Sequence, residues 1–154
     1  MSASIDLGGI IDRLESHAMT LGLFERVNAH EPKNAPGNGL SYSIWMDRLG
    51  PILGRSSIRS TSALLVMNGR VYCSMTREPQ DSIDRDIGIA TAEIMAAYSA
   101  SFTLAGLARC IDVLGMSGTP LGASAGYLNQ DGKLFRIMVI QIPIIINDVW
   151  EQTP

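Results

Sequence analysis

Apolar residues recur at helical spacing near the start of the chain. Leu7, Ile10, Ile11, Leu14, Ala18 and Leu21 fall on one face, with Asp12, Arg13 and Glu15 opposite. The pattern predicts a helix over residues 5–21, with Ser4 placed to cap it and Asp6 suited to the positive end of its dipole. Gly22 is placed to end it in a left-handed turn, letting Leu23 and Phe24 pack back. A second stripe, Ile83, Ile87, Ala90, Ile94 and Ala97/Tyr98, predicts a helix over 82–99, with Asp81, Asp84 and Asp86 at its start. Gly88 inside it costs about 1 kcal/mol relative to Ala. Ile89, Ala92 and Ala96 carry the apolar surface beyond the stripe, which suits either a well-buried helix or one shared with a neighbouring subunit.

Elsewhere the period is two. Leu40, Tyr42, Ile44 and Met46 alternate with Ser41, Ser43, Trp45 and Asp47, predicting a half-buried strand over 40–47 with Trp45 on its polar side. Further strands are predicted over 27–30, 62–72 and 108–114. Residues 134–146 are apolar on both faces, as in a strand that is central or covered twice. Pro143 has no N–H, so the ladder there should stop or bulge. Asp131-Gly132 marks a hairpin turn. Helix, strands, helix, strands with short connections predicts an α+β fold: an antiparallel or mixed sheet with two main helices packed on it. Three stretches, 31–39, 49–59 and 115–126, are rich in Gly, Pro, Ser and Asn and read as loops long enough to carry function.

Composition narrows the function. The 154 residues suit one domain, and 46% apolar against 18% charged residues exclude a disordered chain. A net charge of −3 with 12 scattered Lys and Arg argues against nucleic acid as a primary partner. Cys73 and Cys110 lie far apart and read as reduced, partly buried thiols. No secretory signal is visible, and the apolar run over 134–146 is too short to span a bilayer as a helix, so no membrane partner is expected.

Residues able to carry chemistry form no recognisable constellation along the chain. His17 and His30 stand at no ligand-like interval from a Cys or a carboxylate, and His17 reads as structural, in the last turns of the first helix. No nucleophile-elbow pattern occurs. The stretch from Gly118 to Gly126 is glycine-rich but lacks the Gly-Lys-Ser/Thr ending and the following helix of a phosphate loop. Glu78, Asp81, Asp84 and Asp86 are better explained by the helix dipole than by acid–base work. No catalytic, cofactor-binding or metal site is predicted, no cofactor is implied, and the chain is expected not to be an enzyme.

The run Leu23-Phe24-Glu25-Arg26-Val27-Asn28-Ala29-His30-Glu31-Pro32-Lys33-Asn34-Ala35-Pro36-Gly37-Asn38-Gly39 resembles tail terminator proteins of long, non-contractile-tailed bacteriophages (siphophages). So do Glu78-Pro79-Gln80-Asp81, Ala97-Tyr98-Ser99, Gly126-Tyr127-Leu128-Asn129-Gln130-Asp131-Gly132-Lys133 and Ile146-Asn147-Asp148-Val149-Trp150. The specificity of the likeness lies in the order and spacing of these segments along nearly the whole chain. It implies a sheet flanked by helices and a virion structural protein. Members of that family form a hexameric ring that caps the head-proximal end of the tail tube, ends its polymerisation and joins tail to head. The implied partners are further copies of the chain, the tail tube protein and the head–tail connector or neck protein. The implied location is the tail or neck of the virion, with host cytoplasm during assembly.

A head-to-tail ring needs exposed loops on a rigid sheet. Loops 31–39 and 49–59 are therefore candidate contact regions, and Lys33, Asn38, Trp45, Arg55 and Arg59 candidate interface residues, Trp and Arg being enriched at interface hot spots. Three other readings remain open: a head-side neck or head–tail adaptor, the tube subunit itself, and a small-molecule-binding domain or enzyme using the 115–126 loop.

Overall fold

The computed structural model describes residues 5–32, 39–52, 60–76, 78–101 and 103–151, with the backbone alone at 60, 148 and 151. The elements in chain order are helix α1 (Leu7–Thr20), strands β1 (Arg26–Asn28), β2 (Ser41–Pro51) and β3 (Ser60–Ser74), helix α2 (Ile83–Ala100), then β4 (Cys110–Ile111), β5 (Gly122–Gln130) and β6 (Lys133–Glu151). The strands form one six-stranded sheet in the order β1-β2-β3-β6-β4, with β5 also paired to β6. β1 lies parallel to β2, and every other pairing is antiparallel. This is the α+β architecture predicted: a mixed sheet with two helices.

The helices cover one face. Ile10, Leu14 and Ala18 of α1 and Ile87, Ala90, Ile94 and Tyr98 of α2 pack on Tyr42, Ile44, Leu65, Met67, Val71, Ile140, Ile142 and Ile144. Both helical stripes are those read from the sequence, because a 3.6-residue period leaves one apolar face and only the sheet can cover it. The α1 cap differs. Asp6, not Ser4, is the N-cap, and its carboxylate accepts the Gly9 N–H at 3.0 Å. Ser4 lies outside the described residues. Gly22 has a φ of +67°, the left-handed turn expected of it.

A chain of three polar groups joins α1, α2 and the sheet. The Tyr42 and Tyr98 hydroxyls are 2.9 Å apart, and Tyr98 donates to the Leu14 carbonyl at 3.3 Å. Tyr98 has one proton to give, so Tyr42 donates to Tyr98. Burial raises both phenol pKa values above the usual one, and at Tyr98 the Tyr42 group adds to the effect.

Strand lengths depart from expectation. β2 and β3 run several residues beyond their predicted ends, and β6 reaches Glu151. The predicted strand over 108–114 is only Cys110–Ile111, and the predicted loop over 115–126 is strand from Gly122 onward. Pro143 does not interrupt the β3–β6 ladder, where it sits opposite Val66. Its missing N–H falls on the other side of β6, in the gap where β5 ends opposite Gln141 and β4 begins opposite Ile144. The Pro143 carbonyl on that side accepts the Asp112 N–H at 2.9 Å.

Candidate functional site

The sheet face away from the helices is where function has room. Its two ends are closed by small apolar clusters, Ile52, Leu64, Val66 and Ile145 at one and Tyr72, Phe135 and Ile137 at the other. Both ends are strapped. Arg48 of β2 donates to the Thr119 hydroxyl at 2.6 Å, and Gln130 of β5 donates to the Pro32 carbonyl at 2.9 Å. These bonds reach from β2 and the segment after β1 to the β5 side, so the sheet curls over this face.

Between the straps lies Arg70, paired in register with Ser43 and Val139. Its guanidinium stands 4.8 Å from the centre of the Trp45 ring and 5.7 Å from that of Tyr72, donates to the Tyr72 hydroxyl at 3.2 Å and pairs with Glu31 at 3.7 Å. Among the described residues, Arg70 Nε and the Ser41 hydroxyl are buried without a hydrogen-bond partner. Burial is the first cause that pushes the Tyr72 phenol up, against the pull of Arg70. A cavity of about 330 Å³ lies nearby, lined by Gly122, Ala123, Ser124, Val139 and Gln141, none of them ionisable. Among the described residues no group of three or more His, Cys, Asp or Glu is placed to hold a metal ion.

Among the described residues, the turn between β4 and β5 carries the most exposed large apolar side chains. The Asp112 side chain, in a residue only 6% exposed, accepts the N–H groups of Met116 at 3.0 Å and Ser117 at 2.8 Å. The Gly115 N–H bonds the Asp112 carbonyl, Gly118 bonds Gly115, and Leu121 bonds Val113. Gly115 has a φ of +73° and packs so closely on Pro120 that a Cβ would meet its backbone, so only glycine fits. On this fixed frame Leu114 is 85% and Met116 82% exposed. Surface apolar side chains are common singly, but two so exposed within three residues, on a turn held by its own hydrogen bonds, make a candidate contact point.

Of the candidate interface residues, Trp45 alone lies among the described ones; Lys33, Asn38, Arg55 and Arg59 lie outside them. Trp45 is half-buried, with part of its surface taken by Arg70 within the same chain. Leu114 and Met116 were not singled out from the sequence. The available signal was two large apolar residues flanking a glycine in an otherwise small and polar stretch. His17 sits edge-on to Tyr98, with 6.3 Å between ring centres, and its pKa is lowered by burial and by Arg13. Neither Cys73, which is buried, nor Cys110, which is half-buried, is in a disulfide. No helix among the described residues is long and apolar enough to cross a membrane.

No protein-family model matches the chain, and no curated protein matches it. Comparison with solved structures finds distant likenesses. One chain that bears no functional name aligns over 89% of this chain and 91% of its own, at 13% identity and a TM-score of 0.47. The sheath/tube terminator of an extracellular contractile injection system, PVC, in its extended state, aligns over 98% of this chain at 10% identity and a TM-score of 0.38. This chain spans 61% of that terminator's length. At TM-scores below 0.5 neither likeness bears on what this chain does.

Proposed function

We propose that this chain is a structural protein of a phage tail, six copies of which close into a ring on the head-proximal end of the tail tube, stop its growth and offer a surface to the head's connector. The ordered segments that resemble siphophage tail terminators suggest the role. The observation that carries it physically is the 112–121 segment, where a buried carboxylate and three backbone bonds hold Leu114 and Met116 out in solvent. A contact already rigid before binding loses little conformational entropy when a partner covers it. In this reading the partners are proteins: the neighbouring copy, turned by about 60° in a six-membered ring, the last ring of tube subunits and the neck. The role needs no cofactor, no reaction, no base-specific contact to nucleic acid and no membrane, and it places the chain in the virion after assembly in the host cytoplasm.

The test is electron microscopy of siphophage tail tubes grown with the gold-labelled protein, read beside a Leu114→Ser/Met116→Ser variant. Label confined to one end of tubes that stop growing, and loss of that label in a variant that melts like the parent, is the expected result. Label along the whole tube would make it a tube subunit, and label only on filled heads an adaptor. Indifference to tubes and heads alike would end the reading.

A further inference from the structure

The sheet has two outer edges, and they are defended differently. Beyond β1, the edge of β2 over residues 44–51 carries a register shift between Met46 and Arg48, the charges of Asp47 and Arg48, and Pro51 at its end. Bulges, charges and prolines are the devices that keep a strand edge from pairing with another chain. β5, Gly-Ala-Ser-Ala-Gly-Tyr-Leu-Asn-Gln, has none of them. It is nine residues long, uncharged, free of proline and paired to β6 without a register shift.

The backbone polarity of that edge follows from the hairpin turn. Asp131 and Gly132 both have positive φ, 53° and 76°, so the turn is the two-residue kind that makes Gln130 and Lys133 a hydrogen-bonded pair. Alternation along the strand then turns the N–H and C=O of Ala123, Ala125, Tyr127 and Asn129 away from β6. Among the described residues nothing pairs with these groups, and all four residues are exposed.

We propose that β5 is a self-pairing edge: two copies of this chain join through it, antiparallel, about a two-fold axis at Gly126. The occupant is a second copy because the strand complements itself. Its first half is small and its second half large. Centring the pair on Gly126 sets Ala125 opposite Tyr127, Ser124 opposite Leu128, Ala123 opposite Asn129 and Gly122 opposite Gln130. Each large side chain meets a small one on the same face, and no charge meets a like charge. The contact is isologous, whereas a ring is built from head-to-tail contacts. The inference is therefore independent of the proposed ring.

Sedimentation of the full chain over a concentration series is expected to show a monomer–dimer equilibrium. Ala125→Pro removes an N–H that faces away from β6, so the hairpin keeps its own ladder while the dimer loses one bond at each of two symmetric places. At about 1 kcal/mol per bond the dissociation constant should rise roughly 30-fold. The register is read separately in a Cys110→Ser background. Gly126→Cys should form a disulfide-linked dimer on mild oxidation, and Gly122→Cys should not; a Cβ at Gly126 finds only ordinary contact, 3.6 Å from Ile137. A chain monomeric at every soluble concentration, a dimer untouched by Ala125→Pro, or a Gly122→Cys link in place of the Gly126→Cys link would overturn the proposal. A hexamer blind to Ala125→Pro would overturn it and leave the ring reading standing.

Discussion

Removing the Tyr98 hydroxyl should cost much more than removing its neighbour's. The two phenols form a directed chain, Tyr42 to Tyr98 to the Leu14 carbonyl, at 2.9 and 3.3 Å. In Tyr98→Phe both bonds go, and the Tyr42 hydroxyl is left without a partner in a residue with no exposed surface. The Leu14 carbonyl keeps a place in the helical ladder. Two net bonds at about 1 kcal/mol each, with part of a burial penalty of about 1–3 kcal/mol for the orphaned donor, give a loss of about 2–4 kcal/mol. In Tyr42→Phe one bond goes and Tyr98 still donates to Leu14, so the loss is about 1 kcal/mol. The double variant orphans no donor and should be no less stable than Tyr98→Phe alone, a non-additivity of about 1 kcal/mol or more. Urea unfolding of the four proteins, with unchanged denaturant slopes, measures all three quantities. Tyr42→Phe losing more than Tyr98→Phe, or simple additivity, would refute the directed chain.

Other tests follow from single positions. Gly69 lies opposite Ile44 in the sheet, and a Cβ there would overlap the Tyr42 hydroxyl, so Gly69→Ala should cost about 2 kcal/mol in urea unfolding by overpacking. Ala105 is exposed with φ at +59°, between Leu104 at +50° and Gly106 at +86°, so Ala105→Gly should raise stability by up to about 1 kcal/mol, read as a higher thermal midpoint. The lowered His17 pKa means that the unfolded chain takes up its proton first as pH falls. Stability from this group is present above pH 6.5 and is lost as pH drops through the lower folded value, so the parent's decline between pH 7 and 5 should flatten in His17→Gln. The raised Tyr42 and Tyr98 pKa values have the opposite sense: their share is present below pH 10 and is lost as pH climbs past it, so Tyr42→Phe/Tyr98→Phe should soften the alkaline decline.

Local pattern alone determined both helices, the glycine that ends α1, the hairpin at Asp131-Gly132 and the inward face of β3; of the face read for β2, Tyr42 and Ile44 point inward but Met46 is exposed, while Ser41 and Ser43 on the other face are buried. In each case a 3.6- or 2-residue period, or a residue that tolerates positive φ, leaves one acceptable conformation. Tertiary structure decided what depends on distant neighbours. Gly122 to Gly126 reads as loop because small residues carry no strand period, yet β6 offers them a ladder and they extend along it. Residues 112–114 read as strand, yet the gap opposite Pro143 ends β4 early, and Asp112 turns the chain with its own carboxylate. The exposure of Leu114 and Met116 followed from that turn. Pro143 marked a break correctly but not its side, since the direction in which a missing N–H points is set by register with β5 and β3. The candidate surface shares this dependence: a side chain's chemistry is written locally, while its access to a partner depends on which strands and straps are packed beside it.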